Sequence, residues 1–437
     1  MAGRNLGLAF ASCSIFATWF GAETIMSSSA EFAEGGLLAV IKEPFGAALC
    51  LLLLGLFFVR PLYRMKIVTM SDYFKIRFNQ RSELLSAILM SLSYLSWIAA
   101  QMIAMGTIMS MLAAAAGFDL SITAGIFGGA ILVTLYTMTG GMWAVSITDF
   151  FQTIIIIVGL LILTFVVLNQ VGGLNNLLSQ QPEGFFNFLP EPKVKSVLEY
   201  GEAWILIGLG SIPSPDIFQR TMAAKSEKIA VRSAYLAAFL YITIALLPLL
   251  IGLCGKELFP ELLNGDAEKK QMLLSTLVLY HTPLIVQILF FGALLSAIMS
   301  TTSGTILAPA TVVTENIIKP YFKNLNEKSH LTILRLSVVA VSLMALFFAC
   351  GGESIYELSA ASSEFGLVSV FSPLVLGMWW QRSSSVGALA SMISGLVSWI
   401  LYDLIWPEAI TPVVFVATPI SLLSMILFSL IFPDQKK

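Results

Sequence analysis

Twelve long apolar stretches recur along this chain, and they constrain its fold more than any other feature. Each is close to or longer than the roughly 20 residues that a helix needs to cross a bilayer. The 437 residues are 57% hydrophobic and 11% charged, with a mean hydropathy of +0.87. Soluble domains do not have this composition, so we expect an all-α polytopic membrane protein with about 12 transmembrane helices. The predicted spans lie near residues 5–33, 38–60, 84–116, 120–138, 142–169, 201–218, 229–254, 283–317, 331–350, 354–380, 385–404 and 408–432.

The basic residues predict how these spans are oriented. Most of the 24 Lys and Arg residues, Lys75 and Lys323 among them, fall in turns on the same side as Met1. Lys269 falls in a turn on the opposite side, among acidic residues. Because basic turns stay in the cytoplasm, we expect both termini on the cytoplasmic side of a cell (inner) membrane. The net charge of −2 argues against binding to nucleic acid.

Two of the spans contain polar or helix-breaking residues at membrane depth. The first is interrupted at Trp19-Phe20-Gly21, close to Glu23, and the sixth at Gly210–Pro215. A membrane helix satisfies its own backbone, so such residues indicate backbone that faces a polar cavity. A polar packing face in the first span, or a simple proline kink in the sixth, is the alternative interpretation.

The two breaks lie five spans apart, and an offset of five reverses the orientation in the membrane. This spacing predicts an inverted repeat of five plus five helices, with the binding site where broken helices 1 and 6 meet. We therefore expect one transporter domain over residues 1–437. Residues 1–170 would form the first repeat, 198–381 the inverted second repeat, and 384–432 two appended helices.

The eighth span carries small and hydroxyl-bearing residues at a spacing of three and four, which places them on one helical face. In membranes such a face is commonly a close-packing surface. Two hydroxyls opposite the carbonyls of an unwound first span would instead form an oxygen shell that suits Na+. The residues concerned are Ala293, Ser296, Ala297, Ser300, Thr301 and Gly304.

Several separate motifs resemble the sodium/solute symporter family. Tyr136–Ala144 resembles the core of the family signature, and Thr148-Asp149-Phe150-Phe151-Gln152 the motif that follows it. Pro215–Arg220 is similar to the family's Phe-Gln-Arg turn, and Met299-Ser300-Thr301 to its Na+-site motif. Family members usually have a further helix before the segment that resembles Gly3–Gly7. Either this chain is a natural short form or its start is mis-set.

The resemblance implies a Na+-coupled symporter that imports a small organic solute by alternating access. Na+ would be the co-transported ion, and Asp149 would lie near its inward path, although a helix-end cap is an equal interpretation of Asp149. A solute-binding sensor of the same fold, signalling through a partner, is the alternative. The implied Na+ ligands are the carbonyls of Ala17, Phe20 and Ala297 and the hydroxyls of Ser300 and Thr301.

Within the family the chain is most similar to the high-affinity choline transporter branch, which implies choline or a related amine as solute. A quaternary ammonium needs aromatic faces around it. Ala47 and Ser214 stand where that branch has aromatics, so the implied cage is incomplete. The acidic residues Glu23 and Glu364 are site candidates because they lie within spans. The expected solute-binding residues are Trp19, Glu23, Thr24, Trp97, Gln101, Ser214, Tyr356 and Glu364.

Features of enzymes and ATP-driven pumps do not occur in the sequence. His281 and His330 are the only histidines, and no G-x-x-x-x-G-K-[ST] loop is present. The four cysteines are far apart and have no metal-binding spacing. We therefore expect a transporter without enzyme activity.

Overall fold

Helices dominate the computed structural model, which describes residues 2–265, 267–322, 326–351, 354–407 and 409–434. The Lys323 of the orientation prediction lies outside the described residues. In the signature-like segment, residues 140–144 are helical and their side chains are not described. The helices used below are α1 (Leu8–Trp19), α2 (Glu23–Gly35), α3 (Leu37–Arg64), α4 (Gln80–Ala115), α5 (Ile122–Thr139), α6 (Val145–Gln170), α7 (Val194–Gly210), α8 (Pro215–Met222), α9 (Glu227–Leu258), α10 (Leu284–Tyr321), α11 (Glu327–Ala349), α12 (Ile355–Trp379), α13 (Ser385–Ile405) and α14 (Val414–Ile431).

In the described part of the chain, ten helices are long and apolar enough to cross a membrane. An eleventh span is formed if the bent pair α1 and α2 is counted as one. The sequence predicts twelve, and the difference is the pair α7 and α8. Their 17 and 8 residues are each short for a span, because the helix is interrupted between Gly210 and Pro215.

The first break separates α1 from α2 by a bend of 63°. At Phe20 the backbone leaves the helical region, with φ −82° and ψ 72°. The Trp19 carbonyl still has partners, since it accepts hydrogen bonds from the Gly21 N–H and the Tyr241 hydroxyl, both at 2.9 Å. The first predicted break is thus present at the predicted residues.

The second break lies at residues 211–214, between α7 and α8. Pro215 occupies the first turn of α8, where its missing N–H costs nothing. Gly210 lies directly against α12, because a Cβ on Gly210 would be 2.2 Å from the Ser363 carbonyl oxygen. Only glycine permits so close an approach, and it brings the second break against α12.

Direct contacts join the two broken regions. The Trp19 indole Nε1 donates to Asp216 Oδ2 at 3.1 Å, and Arg220 Nε donates to Thr18 Oγ1 at 3.1 Å. Further along, Leu6 pairs through its backbone with Ala223 and Lys225. The ends of α1 and α8 are therefore held against each other.

Around these breaks, α1 packs against α8, α9, α10 and the helix that contains α6. The helices α13 and α14 pack mainly against each other, with Ser391 and Ser421 hydroxyls 2.9 Å apart. They also contact the middle of α12, where a Cβ on Gly395 would be 1.8 Å from the Val368 carbonyl oxygen. The last two helices thus pack against α12, and α14 also contacts the end of α7 near Leu209.

Candidate functional site

A cavity lies where the two breaks meet, and the space free of atoms in the cavity and its opening to solvent is about 570 Å³. Its walls come from both broken pairs and from α3, α4, α9 and α12. One wall is acidic and aromatic: Trp19, Glu23, Glu43, Tyr94, Trp97 and Tyr241. A second part of the lining, the hydroxyl wall, is rich in serines: Ser211, Ser214, Ser359, Ser362 and Ser363.

Two carboxylates, Glu23 and Glu43, are buried in the acidic wall, each 4% exposed. Glu23 accepts hydrogen bonds from the Trp97 indole at 3.2 Å and from the Gln101 amide. Glu43 accepts hydrogen bonds from the Thr24 hydroxyl at 2.9 Å and from the Tyr241 hydroxyl. All four donors are neutral. Among the described residues that line the cavity, none is Lys, Arg or His.

The aromatic side chains of this wall contact each other edge to face. The ring centres of Trp19 and Trp97 are 6.3 Å apart, and those of Tyr94 and Trp97 are 5.6 Å apart. The polar ends of these side chains donate to carboxylates. The Trp19 indole and the Tyr94 hydroxyl donate to Asp216, and the Trp97 indole donates to Glu23. These rings are therefore fixed in orientation by their polar ends.

The hydroxyl wall joins α7 to α12. The Ser211 and Ser363 hydroxyls are 2.7 Å apart across the Gly210 contact. Ser362 directly precedes Ser363 on α12, Ser359 lies one turn earlier, and both line the same cavity. This wall offers both donors and acceptors, because each hydroxyl can act as either.

Four of the solute-binding residues expected from the sequence line the cavity: Trp19, Glu23, Trp97 and Ser214. Gln101 and Thr24 lie behind it and hold the carboxylates of Glu23 and Glu43.

Tyr356 and Glu364, by contrast, are not among the residues that line the cavity. The Tyr356 hydroxyl donates to the Ala39 carbonyl at 3.2 Å, and Glu364 accepts from the Trp399 indole at 3.0 Å. Their hydrogen-bond partners lie on neighbouring helices, and their part in binding the solute stays a prediction.

Sequence reasoning missed Glu43, Tyr94 and Tyr241, all of which line the cavity. Glu43 lies between Lys42 and Pro44. Because a charged pair followed by proline is typical of an exposed turn, the sequence does not indicate that Glu43 is buried. Tyr94 and Tyr241 lie in apolar helices where nothing in the spacing distinguishes them. The one available signal was the position of Tyr94, one turn before Trp97 on the same face.

Two of the expected Na+ ligands, Thr301 and Ala17, are in direct contact. Thr301 donates to the Ala17 carbonyl at 3.2 Å, and Ser300 donates to Asp149. Ala17, Ala297 and Phe20 are fully buried. Oxygen atoms of α1 and α10 therefore face each other across the first break.

Asp149 lies inside a long helix and is fully buried, so it does not cap a helix end. It accepts from the Ser14 hydroxyl at 2.6 Å and from Ser300. Arg220, also fully buried, interacts electrostatically with Asp149 and with Asp216. Asp149 thus contacts Ser300, one of the expected Na+ ligands, and has Arg220 as a basic neighbour.

Comparison with known proteins matches residues 1–395 to the Sodium:solute symporter family. The human high affinity choline transporter 1 is 28% identical over 406 residues, which cover 90% of this chain and 69% of that protein. The osmoregulated proline transporter OpuE of Bacillus subtilis is 30% identical, over 77% of this chain and 68% of its own length.

Two solved structures share the fold. A Na+-coupled sialic acid symporter, solved substrate-bound and outward-open, matches with a TM-score of 0.81 at 18% identity, over 99% of this chain and 92% of that one. A nucleobase-cation-symport-1 family transporter in a closed conformation matches with a TM-score of 0.64 at 14% identity, over 100% and 95%. The match over residues 1–395 and the shared fold show that this chain belongs to the Sodium:solute symporter family, a family of Na+-coupled membrane transporters rather than enzymes.

Proposed function

We propose that this protein is a Na+-coupled symporter for a small organic cation, an amine of the choline class. The observation that carries the proposal is the cavity with Glu23 and Glu43 in one wall and no basic side chain among its described lining residues. A positively charged solute would complete this site.

The electrostatic reason is the cost of burying charge. An ionised carboxylate away from water is unfavourable unless an opposite charge or several donors compensate for it. In the described residues, Glu23 and Glu43 take part in no ion pair. An ammonium group in the cavity would supply the missing charge, and the same wall would repel an anion.

The aromatic residues of the wall favour the same class of solute. A cation over the face of Trp or Tyr is attracted by the ring, and the attraction increases when water is excluded. Trp19, Trp97, Tyr94 and Tyr241 surround the two carboxylates. Tyr94 and Tyr241 would take the place of the aromatics that the choline branch has at the positions of Ala47 and Ser214. The serine wall would bind a hydroxyl at the other end of the solute.

For the coupling ion, we propose the carbonyl oxygens of Ala17, Phe20 and Ala297 and the hydroxyls of Ser300 and Thr301. Support comes from the approach of Thr301 to Ala17 at 3.2 Å and from an unwound backbone at Phe20. Asp149 hydrogen-bonds Ser300 and would lie on the path by which Na+ leaves to the cytoplasm. Residues 1–170 and 198–381 would be the two repeats that move against each other.

The relatives suggest which solutes to compare. The three relatives reported above are named as transporters of choline, proline and sialic acid. Choline is a cation, proline a zwitterion and sialic acid an anion. We would measure uptake of labelled choline, proline and sialic acid into proteoliposomes, with and without an inward Na+ gradient. We expect choline or another amine to accumulate only with the gradient. Na+-driven uptake of sialic acid without any uptake of amines would contradict the proposal.

The orientation proposed for the chain has its own test. Single cysteines replacing Lys75 and Lys269, both exposed in the structure, would be introduced after Cys13, Cys50, Cys254 and Cys350 are removed. With both termini cytoplasmic, an impermeant thiol reagent added outside intact cells should label position 269 and not position 75. The reverse pattern would show that the orientation is inverted.

A further inference from the structure

We propose that Tyr241 is a positioning residue that couples the solute to Na+, because its hydroxyl can donate either to Glu43 or to the Trp19 carbonyl. Glu43 is the carboxylate that the solute cation would compensate, and the Trp19 carbonyl belongs to the first break. This inference rests on the proposed function for the cation beside Glu43 and for Phe20 as a Na+ ligand.

The Tyr241 hydroxyl lies within hydrogen-bond distance of three oxygen atoms. They are the Trp19 carbonyl oxygen at 2.9 Å, the Thr24 hydroxyl at 2.7 Å and Oε1 of Glu43. The Thr24 hydroxyl reaches the same Glu43 oxygen at 2.9 Å. All four residues are buried. Two hydroxyls thus lie between one carboxylate and one main-chain carbonyl.

The number of protons limits which of these hydrogen bonds can form together. Each hydroxyl has one proton to donate, so Tyr241 cannot donate to Glu43 and to the Trp19 carbonyl at the same time. Thr24 is better placed for Glu43, since its hydroxyl is 3.5 Å from the Trp19 carbonyl oxygen. Of these two hydroxyls, Tyr241 is therefore the one that can serve the carbonyl well.

The charge of Glu43 decides between the two arrangements. Hydrogen bonds to an ionised carboxylate are stronger than those to a neutral carbonyl, and Glu43 takes part in no ion pair in the described chain. Without solute, Tyr241 should therefore donate to Glu43. A cation beside Glu43 weakens the attraction of the carboxylate for a second donor, and Tyr241 can then donate to the Trp19 carbonyl.

The Trp19 carbonyl shapes the backbone at the first break. It accepts the Gly21 N–H at 2.9 Å, and the Phe20 angles of φ −82° and ψ 72° are those of an inverse γ-turn. In a continuous helix this carbonyl would instead accept the N–H four residues later. A hydrogen bond from Tyr241 stabilises it outside the helix and so maintains the unwound backbone at Phe20. Solute binding would thereby strengthen the binding of Na+.

The first test is equilibrium binding of ²²Na+ to the purified full chain, without solute, in potassium chloride of constant ionic strength. Glu43→Gln removes the charge and frees Tyr241, so the dissociation constant for Na+ should fall about threefold or more, as expected for one neutral hydrogen bond. Adding Tyr241→Phe should abolish this gain. Tyr241→Phe alone should bind Na+ about as the wild type does, because the hydroxyl serves Glu43 when no solute is bound.

The direction of the change separates this account from simple electrostatics. Loss of a negative charge by itself weakens the attraction of Na+, and it would do so with or without the Tyr241 hydroxyl. A purely structural role of Tyr241 would change Na+ binding whether or not residue 43 is charged. The proposal is overturned if Glu43→Gln does not tighten Na+ binding, or if the gain survives Tyr241→Phe.

Tyr235→Phe is the matched control, since Tyr235 is on the same helix and its ring lies against Gly55, where a Cβ would be 2.7 Å away. Combined with Glu43→Gln it should preserve the gain in Na+ affinity. Thr24→Val leaves Tyr241 to serve both acceptors and should reduce the gain. If Tyr241→Phe does not fold, Thr24→Val decides, and an undiminished gain in that variant overturns the proposal.

The second test uses choline. The coupling factor is the ratio of the choline dissociation constants without and with Na+, and it equals the effect of choline on Na+ binding. Tyr241→Phe should lower this factor about threefold or more, and Tyr235→Phe should leave it unchanged. A wild-type coupling factor in Tyr241→Phe overturns the proposal. If choline does not bind the wild-type protein, the amine proposal fails, and the measurement with Na+ alone still decides on Tyr241.

Discussion

Two groups of buried acidic residues lie on either side of Trp19, and they differ in what surrounds them. Towards the cavity, Glu23 and Glu43 accept only from neutral donors. On the other side, Asp149 and Asp216 have the buried Arg220 as a basic neighbour, at a distance longer than an ion pair. The second group therefore contains its own opposite charge and the first does not.

This difference in surroundings is the basis for the proposal that the cavity beside Glu23 and Glu43 binds the solute. A carboxylate with a basic neighbour is partly compensated by that neighbour's charge. A carboxylate with only neutral donors is better compensated when a cation arrives, which gives the cation a reason to bind. Substitutions in the two groups should therefore have different consequences.

The largest effect is expected for Glu43→Gln. This change keeps the shape and removes the charge that faces the solute. Loss of one member of a desolvated charge pair costs about 2–5 kcal/mol. The apparent affinity for the amine should therefore fall about thirtyfold or more, as measured by concentration-dependent uptake in proteoliposomes.

Glu364→Gln is the matched control for this change. Glu364 is also a carboxylate within a span, and it accepts from Trp399 away from the cavity. Its substitution should leave solute affinity near that of the wild type. Equal losses for Glu43→Gln and Glu364→Gln would show that the cavity does not select for charge.

A smaller but clear effect is expected for the Na+ ligands. The double substitution Ser300→Ala, Thr301→Ala removes two oxygens from the ion, and the half-saturating Na+ concentration should rise at least about tenfold. Thr305→Ala is the control, since its hydroxyl donates to the Thr302 carbonyl of its own helix. Unchanged Na+ dependence of transport in the double variant would contradict the assignment of Ser300 and Thr301 as Na+ ligands.

How much of this could be predicted from the sequence depends on the kind of signal. The break at Gly21 and the break at Gly210–Pro215 were predictable, because Gly and Pro beside polar residues inside an apolar span weaken a continuous membrane helix. The contact of Thr301 with Ala17 beside the first break agrees with the spacing and the family motif. Membership of the family was visible in its separate motifs.

Side-chain direction within one helix face was not predictable. Tyr356 and Glu364 are on the helix that lines the cavity, but their side chains contact Ala39 and Trp399 instead. Glu43 is distant from Trp19 in the sequence, and only packing of α3 against the break brings it to the cavity. A single sequence contains no signal for such long-range contacts.

The smallest of the expected effects concerns the aromatic wall. Trp19→Ala should weaken amine binding by about 1 to 2 kcal/mol, the scale of a desolvated cation–π contact. Tyr356→Ala, whose residue lies outside the cavity lining, should change binding much less. Tryptophan fluorescence titration with choline in Na+ measures both. An equal loss of amine affinity in the two variants would indicate that Tyr356 also contributes to the binding site.

The central claim is that the cavity recognises positive charge, and a pair of isosteres tests it most directly. Choline and 3,3-dimethylbutan-1-ol have nearly the same shape, but only choline is charged. Binding of each to the wild-type protein in Na+ can be followed by tryptophan fluorescence, since Trp19 and Trp97 line the cavity. We predict that choline binds at least about tenfold more tightly, a difference of about 1.4 kcal/mol. Equal affinity for the two compounds would contradict the account.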